Sequence, residues 1–199
     1  MKALLNSFYC FLLLGFIAAC NDGGSTTTTP ASTVDLTGFT QVQLSGGGTK
    51  AVKKNTAGKI IEEGTLINGK KNGAWITYFE DKEEARIKSL ANYVNDQPNG
   101  VFLTFSNRGQ IETQTSYVNG IYDGIYTKYR FGNVEETATY INGKMEGTFK
   151  QFYNNNKIKL EAGYKNGKQH GIYKYYDEAG EVMMEYEYNN GEKVSGGIK

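Results

Sequence analysis

Histidine, cysteine and proline are scarce in this sequence, and each scarcity excludes a class of protein. The 199 residues include one histidine, His170, two cysteines, Cys10 and Cys20, and two prolines. Cys10 lies in an N-terminal run that we expect to be removed, so no disulfide is predicted even in an oxidising compartment. One histidine excludes a zinc site of histidine and cysteine ligands, and we expect His170 in a turn rather than in a catalytic triad. We predict no metal, no cofactor and no enzymatic activity.

An excess of charge of one sign is also missing. The formal net charge is +1 at pH 7, and no segment has the basic density of a nucleic-acid-binding surface, so no nucleic-acid partner is predicted. Carboxylates do occur in adjacent pairs, but neighbours on a strand point to opposite faces, which suits solvated edges better than the paired acids of a glycosidase. These pairs are Glu62–Glu63, Glu83–Glu84 and Glu135–Glu136.

The N-terminus carries an apolar run of about fifteen residues after Lys2, which is too short to span a bilayer and is typical of a signal peptide. Phe16 to Cys20 resembles the lipobox of bacterial lipoproteins, which implies cleavage of residues 1–19 and acylation of Cys20. Acyl chains on one residue are sufficient for stable membrane anchoring. We therefore predict a lipid-anchored protein of the bacterial cell envelope, at the outer membrane or in the periplasm rather than at the inner membrane. An ordinary cleaved signal with an incidental Cys20 is the alternative.

The remaining chain divides by composition. Residues 20–38 are rich in Ser, Thr and Gly and are predicted to be a flexible linker, because they have little apolar surface to bury. Residues 39–57 are predicted to form a capping hairpin. Residues 58–199 are predicted to be a repeat array of five copies and a truncated sixth.

The repeats share the pattern aromatic-x-Asn-Gly-x-x-x-Gly-x-aromatic-x-x-aromatic, with Leu66 in place of the first aromatic residue in copy one and Asp96 in place of the first glycine in copy two. The second glycine of the pattern recurs at spacings of 27, 24, 23 and 24 residues, and a fixed period of this size indicates a repeat architecture. The second glycines are Gly73, Gly100, Gly124, Gly147 and Gly171. Asn-Gly favours a tight hairpin turn, so each copy is predicted to be one β-hairpin. The predicted fold class is all-β, a single-layer antiparallel sheet of tandem hairpins.

This pattern resembles the bacterial variant of MORN repeats over roughly residues 58–195. The resemblance implies a hairpin array with an interaction role and no shared catalytic site. Standard MORN copies have a further glycine two residues after the second glycine, where this chain has an aromatic residue. Phospholipid binding is therefore not carried over from the family.

Two aromatic columns follow each second glycine. Because their separation of three residues is odd, we expect the columns on opposite faces of the sheet. One column is expected to pack with Tyr93, Tyr117, Tyr140 and Tyr164, and the other to form a binding surface; packing of both columns between repeats is the alternative. The candidate binding surface is the column two residues after the glycine: Trp75, Phe102, Tyr126, Phe149 and Tyr173. The other column is Tyr78, Phe105, Tyr129, Phe152 and Tyr176.

These observations favour a membrane-anchored, non-catalytic binding or scaffolding module. We expect the membrane, through the lipid on Cys20, and a protein or glycan as partners. The alternatives are an antitoxin-like protein inhibitor, which a lipid-anchored exported chain fits poorly, and an enzyme that acts on envelope polysaccharide.

Overall fold

The computed structural model describes residues 35–80 and 84–199. The predicted signal peptide, Cys20 and nearly all of the predicted linker lie outside this part. Sixteen strands occur in it: β1 (Phe39–Gln43), β2 (Thr49–Lys54), β3 (Ile60–Ile67), β4 (Lys70–Tyr78), β5 (Ile87–Val94), β6 (Gln97–Pro98), β7 (Gly100–Phe105), β8 (Ile111–Val118), β9 (Ile121–Arg130), β10 (Asn133–Ile141), β11 (Lys144–Met145), β12 (Gly147–Phe152), β13 (Ile158–Lys165), β14 (Lys168–Tyr176), β15 (Val182–Asn189) and β16 (Glu192–Ile198).

The strands form one antiparallel sheet in which each strand pairs with the strands before and after it in the chain. Two return strands are interrupted by one residue, so that β6 and β7 together play the part that β4 plays alone, as do β11 and β12. No helix occurs among residues 35–80 and 84–199. The prediction of an all-β, single-layer antiparallel sheet of tandem hairpins is confirmed.

Six hairpins turn at the Asn-Gly position of the repeats through two residues that both have a positive φ, as in the turn formed by Asn142 (φ 50°) and Gly143 (φ 76°), and the hairpin of β9 and β10 turns in the same way at Phe131 and Gly132. Two positive φ values define the type I′ turn, whose twist matches that of the flanking strands and which Asn-Gly adopts at low cost. In the second repeat copy the turn is Asn95–Asp96, since Asp96 tolerates a φ of 69° as well.

The connections at the opposite ends of the strands are longer, except for the two-residue turn between β9 and β10. Four of them enclose three residues and are closed by a backbone hydrogen bond, such as the one from the Ser106 N–H to the Gln110 carbonyl at 2.8 Å. The Asp177 carboxylate shows how these loops are held, because it accepts hydrogen bonds from the N–H groups of Gly180 and Glu181 at 2.8 Å each. Polar side chains that bond their own backbone in this way are the usual determinants of such loops.

The second glycine of each repeat has a positive φ, between 76° and 107°, and in all five copies it pairs with the aromatic residue that precedes the next turn. Gly124, with a φ of 107°, lies opposite Tyr140, and the pairing of β9 with β8 shifts beside it between Thr115 and Tyr117. An extra residue in one strand with positive φ is a β-bulge, for which glycine is the least strained residue. The sequence pattern Asn-Gly-x-x-x-Gly is therefore a turn followed by a bulge.

The first hairpin, β1 with β2, pairs with the array through β3. Its Ala51 is fully buried and forms a core cluster with Leu66 and Trp75, against which Phe39 and Tyr93 pack. The apolar end of the array is thus covered by residues of the same sheet.

Candidate functional site

The two faces of the sheet differ in what they bury. One face, which we call the packed face, carries all the buried apolar side chains: Ala51, Leu66, Trp75, Ala91, Ala138 and Ala162. The other face, which we call the open face, carries exposed β-branched residues together with most of the ion pairs. The strand register assigns each residue to a face, because directly paired residues of neighbouring strands lie on the same side.

On the packed face, large and small residues alternate from strand to strand. Trp75 lies between Gly64 and Ala91, and Tyr126 lies between Thr115 and Ala138. Phe149 and Tyr173 both pair with Ala162. Each aromatic ring therefore lies over the small residue on a neighbouring strand and fills the space above it. In this way a single-layer sheet obtains a packed core without a second layer.

The closest of these contacts involves Gly64. A Cβ atom at this position would lie 1.9 Å from Cε3 of Trp75, so the indole ring lies directly on the Gly64 backbone. The ring is also oriented by its Nε1–H, which donates to the Glu62 carboxylate at 2.6 Å. Lys71 Nζ lies 4.1 Å from the ring centroid, within the range of a cation–π contact.

The predicted binding surface lies on this packed face. Trp75 is 2% exposed, so the prediction that it forms part of an exposed binding surface is wrong for this residue. The other four members are partly buried, and each contacts an aromatic ring of the following outgoing strand at a centroid distance of 6.0–6.4 Å. These pairs are Phe102–Tyr117, Tyr126–Tyr140, Phe149–Tyr164 and Tyr173–Tyr186. In this arrangement the column packs one repeat against the next.

Burial changes the acidity of the phenols on this face. Burial, followed by the nearby Glu136 carboxylate, raises the pKa of Tyr126 to about 12. Burial also raises the pKa of Tyr140 and of Tyr164 above the ordinary value. These tyrosines are therefore neutral hydroxyls over the whole physiological range, and none is a base or a nucleophile at neutral pH.

The second aromatic column lies on the open face. The Tyr78 hydroxyl donates to the Glu63 carboxylate at 2.7 Å, and Glu63 also forms an ion pair with Lys50 at 2.9 Å. Tyr176 donates to Glu161 at 3.0 Å in the same way, and Glu161 pairs with Lys150 at 2.9 Å. The hydrogen bond from Tyr78 and then Lys50 hold the pKa of Glu63 below its ordinary value. Each of these two carboxylates is thus held by a tyrosine hydroxyl and a lysine, which is a structural role.

The open face also carries a patch of exposed aliphatic side chains that the sequence analysis did not identify. Its members lie on β5 to β10, between the Asn-Gly turns and the ion-paired row, and are 42–57% exposed. We call this set the aliphatic patch: Val94, Val101, Val118, Ile121, Ile125 and Ile141. Val118 and Ile121 are paired directly across their hairpin. The sequence signal for this patch is the β-branched residue next to several aromatic residues of the packed face, as Val101 is next to Phe102, since neighbours on a strand point to opposite sides.

Hydrogen bonds join each repeat to the next at what we call the repeat joint. In three of the five copies the residue before the second glycine accepts a hydrogen bond from the first N–H of the following turn, as Asp123 does from Asn142 at 3.0 Å and Glu146 does from Asn166 at 2.7 Å. The N–H of Gly143 donates beside it to the Tyr122 carbonyl at 2.8 Å. The backbone bond recurs at all five later turns, so every Asn-Gly turn after the first is held by the preceding repeat.

His170 occupies this same position in the fifth copy. It lies in β14, three residues beyond the turn at Asn166–Gly167, so the prediction that it is a turn residue is wrong. A bulge at the following glycine allows the strand to continue through it. Its Nδ1 atom is buried without a hydrogen-bond partner, and in the described part no hydrogen bond joins its side chain to Asn190.

Among residues 35–80 and 84–199, no group of three or more His, Cys, Asp or Glu side chains could hold a metal ion. No helix in this part of the chain is long and apolar enough to cross a membrane.

Comparison with known proteins identifies the repeat. Residues 145–166 and 169–190 match the family described as MORN repeat variant, so the predicted resemblance is confirmed for these two adjacent copies. No curated protein matches the chain. Among solved structures, the chain is similar to S. aureus TarM and to a TarM mutant in complex with Fondaparinux, alpha-GlcNAc-glycerol and UDP. Each is 13% identical with a TM-score of 0.28, over 81% of this chain and 22% of the TarM chain; this chain therefore spans about a fifth of TarM.

Proposed function

Because the chain carries repeats of the MORN variant, we propose that it is a non-catalytic binding or scaffolding module that a lipid on Cys20 holds at the bacterial cell envelope. The binding role follows from the repeat and from the sheet. Its position at the envelope rests on the apolar N-terminal run and the lipobox-like segment that ends at Cys20.

The aliphatic patch carries the proposal of a protein partner. Apolar surface that is exposed to solvent is costly to hydrate, and contiguous patches of this kind mark protein interaction sites. Val101, Val118 and Ile125 stand on neighbouring strands with no second layer over them in the described part of the chain. β-Branched residues are also stiff, so little side-chain entropy is lost when a partner covers them.

The packed face is the less suitable surface for a partner. Its Trp75 ring is buried, and each of the other rings of the column already contacts an aromatic ring of the following outgoing strand, as Tyr126 contacts Tyr140. A ligand on that face would have to separate these contacts. The open face has no such requirement.

Photo-crosslinking in intact cells tests the patch. A benzoylphenylalanine at Ile125 is expected to capture one envelope protein in high yield, and Val101→Thr with Val118→Thr is expected to abolish the capture. Threonine keeps the β-branched shape, so the sheet is retained while the apolar surface is lost. Thr148→Ser, an exposed polar position on the same face, is the matched control and should leave the capture intact. Equal capture by the double variant and the control would reject the patch as the binding surface.

Metabolic labelling with a clickable fatty acid tests the anchor. The wild-type protein should carry the label and sediment with membranes, and Cys20→Ala should be unlabelled and released. Label that persists in Cys20→Ala, or an unlabelled wild-type protein in the cytosol, would reject the anchor and favour the antitoxin-like alternative. Neither result bears on the aliphatic patch, so the two parts of the proposal are tested separately.

A further inference from the structure

Phe131 has a backbone conformation that elsewhere in the described part of the chain is confined to Gly, Asn and Asp. It has a φ of 52° and forms the turn between β9 and β10 with Gly132. Every other non-glycine residue with positive φ among residues 35–80 and 84–199 is Asn or Asp. A bulky side chain in this region is strained by about 1–3 kcal/mol, and such strain is concentrated at functional positions.

The side chain of Phe131 is also the most exposed aromatic ring in the described part. It is 78% exposed, and no other aromatic ring there lies in contact with it. An aromatic ring that is both strained and solvated contributes nothing to folding, since asparagine would fit the turn better and expose less apolar surface. The residue therefore requires another explanation.

Two cavities flank this turn, and Arg130 lines both. The first, of about 430 Å³, lies toward the β12–β13 loop and includes Asn133, Asn154 and Lys159. The second, of about 330 Å³, lies toward the β7–β8 loop and includes Asn107, Gln110 and Phe131 itself. Both volumes fall within the usual range of about 300–1,000 Å³ for small-molecule sites.

The charges around the first cavity balance. Arg130 and Lys159 are matched by Glu135 and Glu178. Glu135 is moreover neutralised by ion pairs with Arg130 and with Lys128. A cavity without net charge has no preference for an anion or a cation, so it favours a neutral polar ligand.

The polar groups in the first cavity are mainly amides. In the described part of the chain, the side chains of Asn133 and Asn154 form no hydrogen bond to another residue. An amide offers two donors and an acceptor, which matches the vicinal hydroxyls of a sugar. Phe131 lies two residues before Asn133 in the chain and lines the second cavity, where its exposed ring offers a flat apolar surface for the C–H face of a pyranose.

We propose that the Phe131 turn and its two flanking cavities form a binding site for a neutral oligosaccharide. One sugar ring stacks on Phe131, and the adjacent sugar units form hydrogen bonds with Asn133 and Asn154. The site lies at the loop ends of the strands, so it is separate from the aliphatic patch and does not depend on a protein partner. The strain at Phe131 is retained because the ring is needed at the tip of the turn.

Titration of the full-length chain in nanodiscs tests this site. The probes are neutral tetrasaccharides of glucose, mannose, galactose and N-acetylglucosamine, with tetragalacturonate as the charged comparison, and the readout is saturation-transfer NMR. At least one neutral probe should bind saturably. Phe131→Tyr should keep the affinity, and Phe131→Asn should raise Kd about threefold to tenfold, the range that one aromatic contact supplies.

Phe131→Asn is a sharp variant because asparagine already occupies the same turn position elsewhere, at Asn142 for example. Its free energy of unfolding should equal or exceed that of wild type, so a loss of binding does not reflect unfolding. Equal affinity of wild type and Phe131→Asn would overturn the site. So would the absence of saturable binding by every neutral probe, tighter binding of tetragalacturonate, or a photo-crosslink from position 131 to a protein in place of a sugar.

Discussion

The Asp123 carboxylate accepts a hydrogen bond from the backbone N–H of Asn142 at 3.0 Å, so a side chain of one repeat holds the turn of the next. We expect Asp123→Ala to lower the free energy of unfolding by about 1–2 kcal/mol, because it leaves a backbone donor without its acceptor. Urea denaturation followed by far-ultraviolet circular dichroism measures the change. Asp123→Asn keeps an acceptor oxygen and is the matched control. A loss in the control equal to that in the alanine variant would show that charge, and not the bond, is what matters.

His170 offers the opposite experiment at the same position of the repeat. Its buried Nδ1 has no partner, whereas Asn72 at the equivalent position accepts from the Asn95 N–H at 3.3 Å. His170→Asn should therefore raise the free energy of unfolding by about 0.5–1.5 kcal/mol, the net value of one hydrogen bond. The urea midpoint of His170→Ala, which also removes the orphaned nitrogen but cannot form the bond, provides the comparison. If His170→Asn is no more stable than His170→Ala, the asparagine does not form the expected hydrogen bond to the next turn, and the prediction for this repeat is wrong.

Gly64 tests the packed face. Gly64→Ala places a methyl group against the Trp75 ring and should destabilise the fold by about 1–3 kcal/mol through overpacking. Trp75 is the only tryptophan, so its fluorescence reports the displacement directly. Gly197→Ala is the control, because a Cβ there meets nothing within 4 Å and its φ is ordinary. Unchanged Trp75 emission in Gly64→Ala would contradict the contact.

The tyrosines set an upper pH limit on the fold. Burial first, and then the hydrogen bond to Glu63, raises the pKa of Tyr78 to about 12, and the pKa of Tyr126 is about 12 as well. In the unfolded chain both ionise near the ordinary pKa of about 10. The folded state therefore retains protons that the unfolded state has lost between these values, and its stability is complete below about pH 10 and falls as the pH rises toward 12.

Urea midpoints across this interval, recorded with tyrosinate absorbance, measure that limit. We expect the midpoint to fall with rising pH and tyrosinate to appear together with unfolding. Tyrosinate that forms in the folded protein well below pH 12, with no change in the urea midpoint, would contradict the burial of these hydroxyls.

Most of the fold was predictable because the information is local. Asn142–Gly143 specifies its turn through the φ values that these residues accept, and repetition of the pattern specifies a sheet of hairpins in chain order. The separation of the two aromatic columns onto opposite faces follows from the odd spacing of Trp75 and Tyr78. None of this required knowledge of contacts between distant residues.

The assignment of the faces was not predictable in the same way. Trp75 was expected on a binding surface, yet it is buried because Gly64 and Ala91 leave room for its ring on the neighbouring strands. Those small residues lie 11 and 16 positions away in the sequence, and only the strand register shows that they flank the ring. The bulge at the second glycine likewise moved His170 from the predicted turn into β14.

The repeat joint has a consequence for how such a chain changes its length. Asp123 and Asn142 belong to consecutive copies, so an insertion or deletion of one whole period at this junction recreates the same partnership there. Shorter changes in register would break it. Gain or loss of a whole repeat can thus lengthen or shorten the sheet while this bond is kept. In the copy that begins at Asn190, Val194 occupies the acceptor position, and its side chain offers no oxygen to a further turn.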